Sequence, residues 1–129
     1  MHSKIRSVEA AVKATSYAIE LAKKFGTQLH IAHLSTKEEL ELVRQAKAKG
    51  QGVTCEVTPH HLFLCEDDVP DLGAGRAEVR PRLTTRADQE ALWNHVRMGT
   101  IGNVTSDHAP YNIDAPDGKF WAGDNAPFS

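Results

Sequence analysis

The chain has 129 residues, of which 40% are hydrophobic and 25% charged: enough apolar content for one domain with its own core, and too much for a disordered or fibrous chain. A formal net charge of -2, with Lys and Arg spread among the acids, leaves no basic field for nucleic acid or an anionic lipid surface, so neither is expected as a partner. No run approaches the roughly 18 apolar residues of a membrane span, the opening residues carry no apolar leader, and two cysteines make no secreted disulfide framework, which together predict a cytoplasmic protein.

Val8, Val12, Thr15, Ile19, Ala22 and Phe25 recur at helical spacing, with Glu9 in the first turn, Lys23-Lys24 in the last and Gly26 as the stop. Residues 28–34 read as a buried strand, Ile31 and His33 on one face and His30, Ala32 and Leu34 on the other. Ser35 and Thr36, each with a glutamate three residues on (Glu38, Glu39), cap a helix to about Lys49 whose inner stripe is Leu40, Val43 and Ala46-Lys47. Gly50 ends it before a β-branched strand over 53–57. So short a crossover requires a helix on a parallel sheet, with the usual right hand. Thr58-Pro59-His60-His61 then leaves the strand, Leu62-Phe63-Leu64 packs back on the core, and residues 66–85 read as mostly loop, of a length that is usually functional or partly disordered.

Thr85 and Asp88 cap a further helix through Ala91, Leu92 and Val96, closed by Gly99, and residues 101–106 form a third strand. That strand delivers Asp107 and His108 to a point where Ala109-Pro110 forces the backbone out of any regular element. The segment 109–129 has no periodicity, and its Pro116-Asp117-Gly118 and Gly123-Asp124-Asn125 read as turns. One α/β domain over 1–129 is therefore expected, with its βα units in 1–108 and an irregular tail in 109–129.

Parallel strands bring their carboxyl ends to one edge, so His33, the His60-His61 pair just past Glu56, and Asp107-His108 can converge though distant in sequence. Imidazole and carboxylate are the ligands of a catalytic zinc, and a carboxylate beside a metal-bound hydroxide can carry its proton to a leaving group, which is a hydrolase pattern. The competing reading is a non-catalytic α/β module whose polar residues are simply hydrogen-bonded. His30 reads as packed or capped, His95 as solvated, and at most one of His60 and His61 can face a site. A small zinc site from Cys55, His60, His61 and Cys65 fits no usual structural spacing; Cys55 reads as a small apolar side chain and Cys65 as a loop thiol.

Three stretches, His30-Ile31-Ala32-His33-Leu34-Ser35-Thr36, Val53-Thr54-Cys55-Glu56-Val57-Thr58-Pro59-His60-His61-Leu62-Phe63-Leu64 and Ser106-Asp107-His108-Ala109-Pro110, resemble in order and spacing the later barrel strands of dihydroorotases. These belong to the cyclic amidohydrolases, with dihydropyrimidinase, hydantoinase and allantoinase. Arg80-Pro81-Arg82-Leu83 is similar to the family's substrate-side loop. The resemblance implies a (β/α)8 TIM barrel with a binuclear zinc centre. His33 would bind one zinc; Asp107 would bind the other and act as general base and then acid. His108 and Glu56 would stand behind these ligands, the backbone near Arg80 would touch the substrate ring, and His60 and His61 would be structural. The family's first-strand histidine pair, its carboxylated lysine and one further histidine ligand lie upstream of these motifs. A complete barrel needs about 250 residues, so the resemblance implies a partial barrel made of later strands only, with flanking helices.

The expected function is that of a zinc-dependent hydrolase of cyclic amides, most like dihydroorotase: reversible opening of dihydroorotate to N-carbamoyl-aspartate in pyrimidine biosynthesis, absent from this stretch alone. Tyr111 stands where dihydroorotases usually carry a histidine that holds the substrate carboxylate, and with the tail 117–128 it resembles hydantoinase-type relatives, which makes an uncharged ring the alternative substrate. A non-catalytic half-barrel acting as an assembly module is the other alternative. The expected partners are a small cyclic amide and either an N-terminal half or further copies of the chain.

Overall fold

The structure is a computed structural model that describes residues 7–73 and 75–108. Helix α1 (Val8–Phe25) starts at Ser7, whose side chain accepts from the Ala10 N–H, and stops at Gly26, whose left-handed φ of 62° lets its N–H reach the Ala22 and Lys23 carbonyls. Thr15 and Ala22 on its inner stripe are buried, whereas Phe25, expected there too, is 72% exposed. Strand β1 (Leu29–Ile31) is shorter than expected, because His33 takes a φ of 38° and breaks the extended ladder.

Helix α2 (Lys37–Ala48) is capped by Thr36, which accepts from the Glu39 N–H. The buried Glu39 carboxylate in turn accepts from the Thr36 and Thr15 hydroxyls, each at 2.8 Å, and so ties α1 to α2. Strand β2 (Val53–Val57) follows, then α3 (Pro59–Phe63), which carries buried Leu62 back onto the core as expected. The long loop holds a 3-10 turn (Glu66–Asp68) and a single-turn helix α4 (Val69–Leu72). Helix α5 (Arg86–Arg97) begins with a reciprocal capping box between Thr85 and Asp88 and leads into strand β3 (Asn103–Val104).

The three strands pair in the order β1-β2-β3, all parallel, with Leu29 opposite Val53, Ile31 opposite Cys55 and Val57 opposite Val104. Helices cover one face of this sheet: Val53, Cys55 and Val57 are buried with Leu40, Val43 and Ala46 of α2 and Leu92 of α5. Among the described residues no helix covers the opposite face, where His30 and Thr54 are exposed. The strand read as buried over residues 28–34 is half-buried at Leu29 and Ile31 and exposed at His30, so among the described residues it is covered on one face. The fold is α/β, with parallel strands and flanking helices. No helix among the described residues is long and apolar enough to cross a membrane.

Asp88 joins the two helix starts. Its Oδ2 accepts from the Thr85 N–H and hydroxyl, while Oδ1 accepts the Lys37 N–H at 3.0 Å, an otherwise orphan donor in the first turn of α2. The side chain is buried, so Asp88→Ala strands these donors and is expected to destabilise the fold by about 2 kcal/mol. Urea unfolding measures it, and a loss under about 0.5 kcal/mol, the usual surface value, would show that water replaces the carboxylate.

Candidate active site

Because the strands are parallel, the exits from β1, β2 and β3 lie at one edge of the sheet. The β1 exit carries His33 at φ 38° and the β3 exit carries Asp107 at φ 47°, two non-glycine residues in the left-handed region. Such conformations persist only where the surroundings hold them, and they turn a side chain out of the strand alternation. Both exits are tied to the end of β2: the Leu34 N–H donates to the Glu56 carbonyl at 2.9 Å and the Thr105 N–H to the Val57 carbonyl at 3.0 Å.

From β2 itself the chain turns into α3, where Thr58 caps the first turn and places two histidines in different surroundings. His60 is half-buried, and burial holds its pKa below the usual histidine range, opposed by the nearby Asp107 carboxylate and reinforced by His33. The three exits thus converge, as the parallel arrangement predicts. His61 points into the core at 1% exposure. Its Nε2–H donates to the Pro81 and Arg82 carbonyls at 3.0 and 3.2 Å, which leaves Nδ1 to accept the Thr58 hydroxyl at 2.6 Å. Burial, then the neighbouring His60, push its pKa down to about 4, against the pull of the two carbonyls. His61 is a structural tie that brings the segment 81–82 beside the end of β2, and with it half-buried Arg80.

His108 is exposed, Glu56 is half-buried and engaged with His30, and Tyr111 lies outside the described residues. Cys55 donates its thiol to the Thr100 carbonyl at 3.5 Å, and burial pushes its pKa up to about 11, so it is the inert apolar residue expected. Cys65 lies in the loop after α3, as expected, and is buried there, with its backbone N–H on the Asp68 carboxylate at 2.8 Å. His95 is half-buried rather than fully solvated: burial lowers its pKa, and its buried Nδ1 has no partner among the described residues. The signal for this was present, since His95 lies beside Val96 and three residues after Leu92 on the inner side of α5.

Among the described residues no group of three or more His, Cys, Asp or Glu side chains is placed to hold a metal ion, which also removes the Cys55, His60, His61, Cys65 arrangement. His33 and Asp107 are the right donors in kind for a catalytic divalent metal and fall short of the usual three or four in number.

The chain is 48% identical over 91 residues to dihydroorotase from Geobacillus thermodenitrificans, covering 70% of this chain and 21% of that protein. It is 40% identical over 107 residues to the multifunctional protein CAD of Squalus acanthias, covering 83% of this chain and 5% of that protein. This chain is a dihydroorotase-like amidohydrolase sequence. In structure it is similar to the dihydropyrimidinase of Brevibacillus agri, with a TM-score of 0.83 at 30% identity over 88% of this chain and 25% of that one. No family model matches. The dihydroorotase-like chain thus spans a quarter or less of the length of these relatives. The similarity to a dihydropyrimidinase also places its parallel strands and flanking helices among the cyclic amidohydrolases.

Proposed function

We propose that this chain forms part of a cyclic amidohydrolase that opens and closes dihydroorotate, the later strands of a (β/α)8 barrel completed by residues outside those described. The observation that carries this reading is the convergence at one sheet edge of His33 and Asp107, both held in left-handed backbone conformations, in a chain 48% identical to a dihydroorotase and 40% identical to a multifunctional protein CAD. The domain would be one unit over 1–129, its βα units in 1–108, working in the cytoplasm.

In the complete two-zinc site His33 would hold one metal and Asp107 the other, each together with ligands from outside the described residues. When bound, such a metal makes water a strong nucleophile at neutral pH. The chain's own contribution is proton handling. Asp107 takes the proton of the attacking water as the new carbon–oxygen bond forms at the ring amide, then returns it to the departing ring nitrogen as the carbon–nitrogen bond breaks. His60, half-buried and held below its usual pKa, keeps a neutral imidazole beside that carboxylate. Arg80, carried to the same edge by His61, would border the ring, and Glu56 and His108 would stand behind the metal ligands.

The alternative substrate, a hydantoin or dihydropyrimidine, is supported by the similarity to a dihydropyrimidinase and by Tyr111. The test is turnover of dihydroorotate and of hydantoin by the protein at its native length, supplied with zinc. A kcat/KM for dihydroorotate at least tenfold above that for hydantoin is expected, since a site built to pair a carboxylate rejects rings lacking one by more than about tenfold. The reverse preference would assign the hydantoinase reaction, and no turnover of either ring would leave the assembly module.

A further inference from the structure

On the face of the sheet that no helix among the described residues covers, His30 lies in register with Thr54. Its ring bridges to two β2 side chains, Nδ1 to Thr54 Oγ1 at 2.8 Å and Nε2 to Glu56 Oε2 at 3.1 Å. A carboxylate only accepts, so Nε2 carries a proton and donates to Glu56. Glu56 is thereby used twice, because its backbone carbonyl also accepts the Leu34 N–H at 2.9 Å. Between those two ties the chain passes through Ala32 and His33, and His33 is the residue at φ 38°. A single residue of β2 thus holds the chain on both sides of a strained position, which is the kind of over-determination such a conformation needs.

We propose that His30 and Glu56 act as one clamp that positions His33. They are positioning residues and touch neither substrate nor reacting atoms. Two features set this pair apart from an ordinary surface ion pair, which contributes little. Both ring nitrogens are engaged, which fixes the imidazole plane, and the two β2 partners are successive residues on the same face, just where the ladder with β1 ends at Ile31 and Cys55. The catalytic consequence rests on the function proposed above; the structural consequence stands without it.

The test is a double-mutant cycle of His30→Ala and Glu56→Ala in the protein at its native length, with His30→Gln, which keeps an N–H for Glu56, as the conservative variant. One readout is hydrogen exchange at the Leu34 amide, with the Met98 amide at the end of α5 as the reference; the other is kcat and KM for dihydroorotate. Each single alanine variant is expected to lower both Leu34 protection and kcat about tenfold with KM within about twofold, and the double variant to be no worse than either single, because the two residues act as a unit. His30→Gln is expected to recover most of both losses. Unchanged Leu34 protection, or losses that add in the double variant, would overturn the clamp. Lost protection with kcat intact would overturn its bearing on catalysis. Should the unmutated protein turn over no cyclic amide, the function reading fails by itself, and the exchange readout still decides the clamp.

Discussion

In the protein at its native length, Asp107→Asn is expected to slow the proposed opening of dihydroorotate by about 10³-fold in kcat, the middle of the range for losing a general acid-base group. Asparagine keeps the size and planar shape of the side chain and can still occupy the left-handed backbone position, which asparagine tolerates better than most residues. What it loses is the ability to take a proton from water and return it to the ring nitrogen. Asp107 is exposed in the described structure, so the fold does not depend on its carboxylate and unfolding free energy is expected to change by less than about 0.5 kcal/mol. Steady-state kinetics beside urea unfolding separates the two effects. A variant within tenfold of the parent in kcat would remove Asp107 from the proton path and, with it, the assignment of the strand-end cluster as catalytic.

The second large effect is on stability against pH and comes from His61. Its folded pKa, near 4, lies below the unfolded value near 6.5, so between those limits the unfolded chain binds more protons than the folded one. The stability tied to neutral His61 is complete above pH 6.5 and is lost as pH falls toward 4, by on the order of 3 kcal/mol at 1.36 kcal/mol per unit. His60 and His95 are shifted in the same direction, so His61 is isolated by difference. Unfolding free energy measured across this window is expected to fall more steeply for the parent than for His61→Gln, which offers an amide N–H to the 81–82 carbonyls but no titrating ring. Parallel slopes would mean that His61 is protonated in the folded protein, contrary to its burial.

The helices and their limits were written locally. Ser7, Thr36 and the Thr85-Asp88 box bond to N–H groups two or three residues away, and Gly26 and Gly99 adopt positive φ at the helix ends, so each signal lies within one turn of what it specifies. The short helical crossover likewise left parallel strands as the outcome, and parallel strands place His33 and Asp107 at one edge. Strand length and pairing of the exits were less legible. The backbone reversal at His33, which ends β1 early, leaves no periodic trace, because one residue with positive φ does not alter the pattern of residue types.

Whatever depends on register or on a distant backbone group had to wait for the tertiary structure. The Lys37 N–H on Asp88, the Pro81 and Arg82 carbonyls on His61, and Glu56 on His30 each join residues at least 20 positions apart. Alternation says that His30, Thr54 and Glu56 each point off a strand to one side. Only the pairing of His30 with Thr54 says that it is the same side, and only the placement of the helices says that none among the described residues covers this side. By itself the sequence determined the three long helices, the places of the three strands and which residues could carry chemistry, because those follow from near-neighbour hydrogen bonds and hydrophobic period, whereas the short helices α3 and α4 leave no periodic trace. The structure decided which of these residues meet, because meeting depends on how separate elements are docked, and that is fixed by packing across the whole sheet.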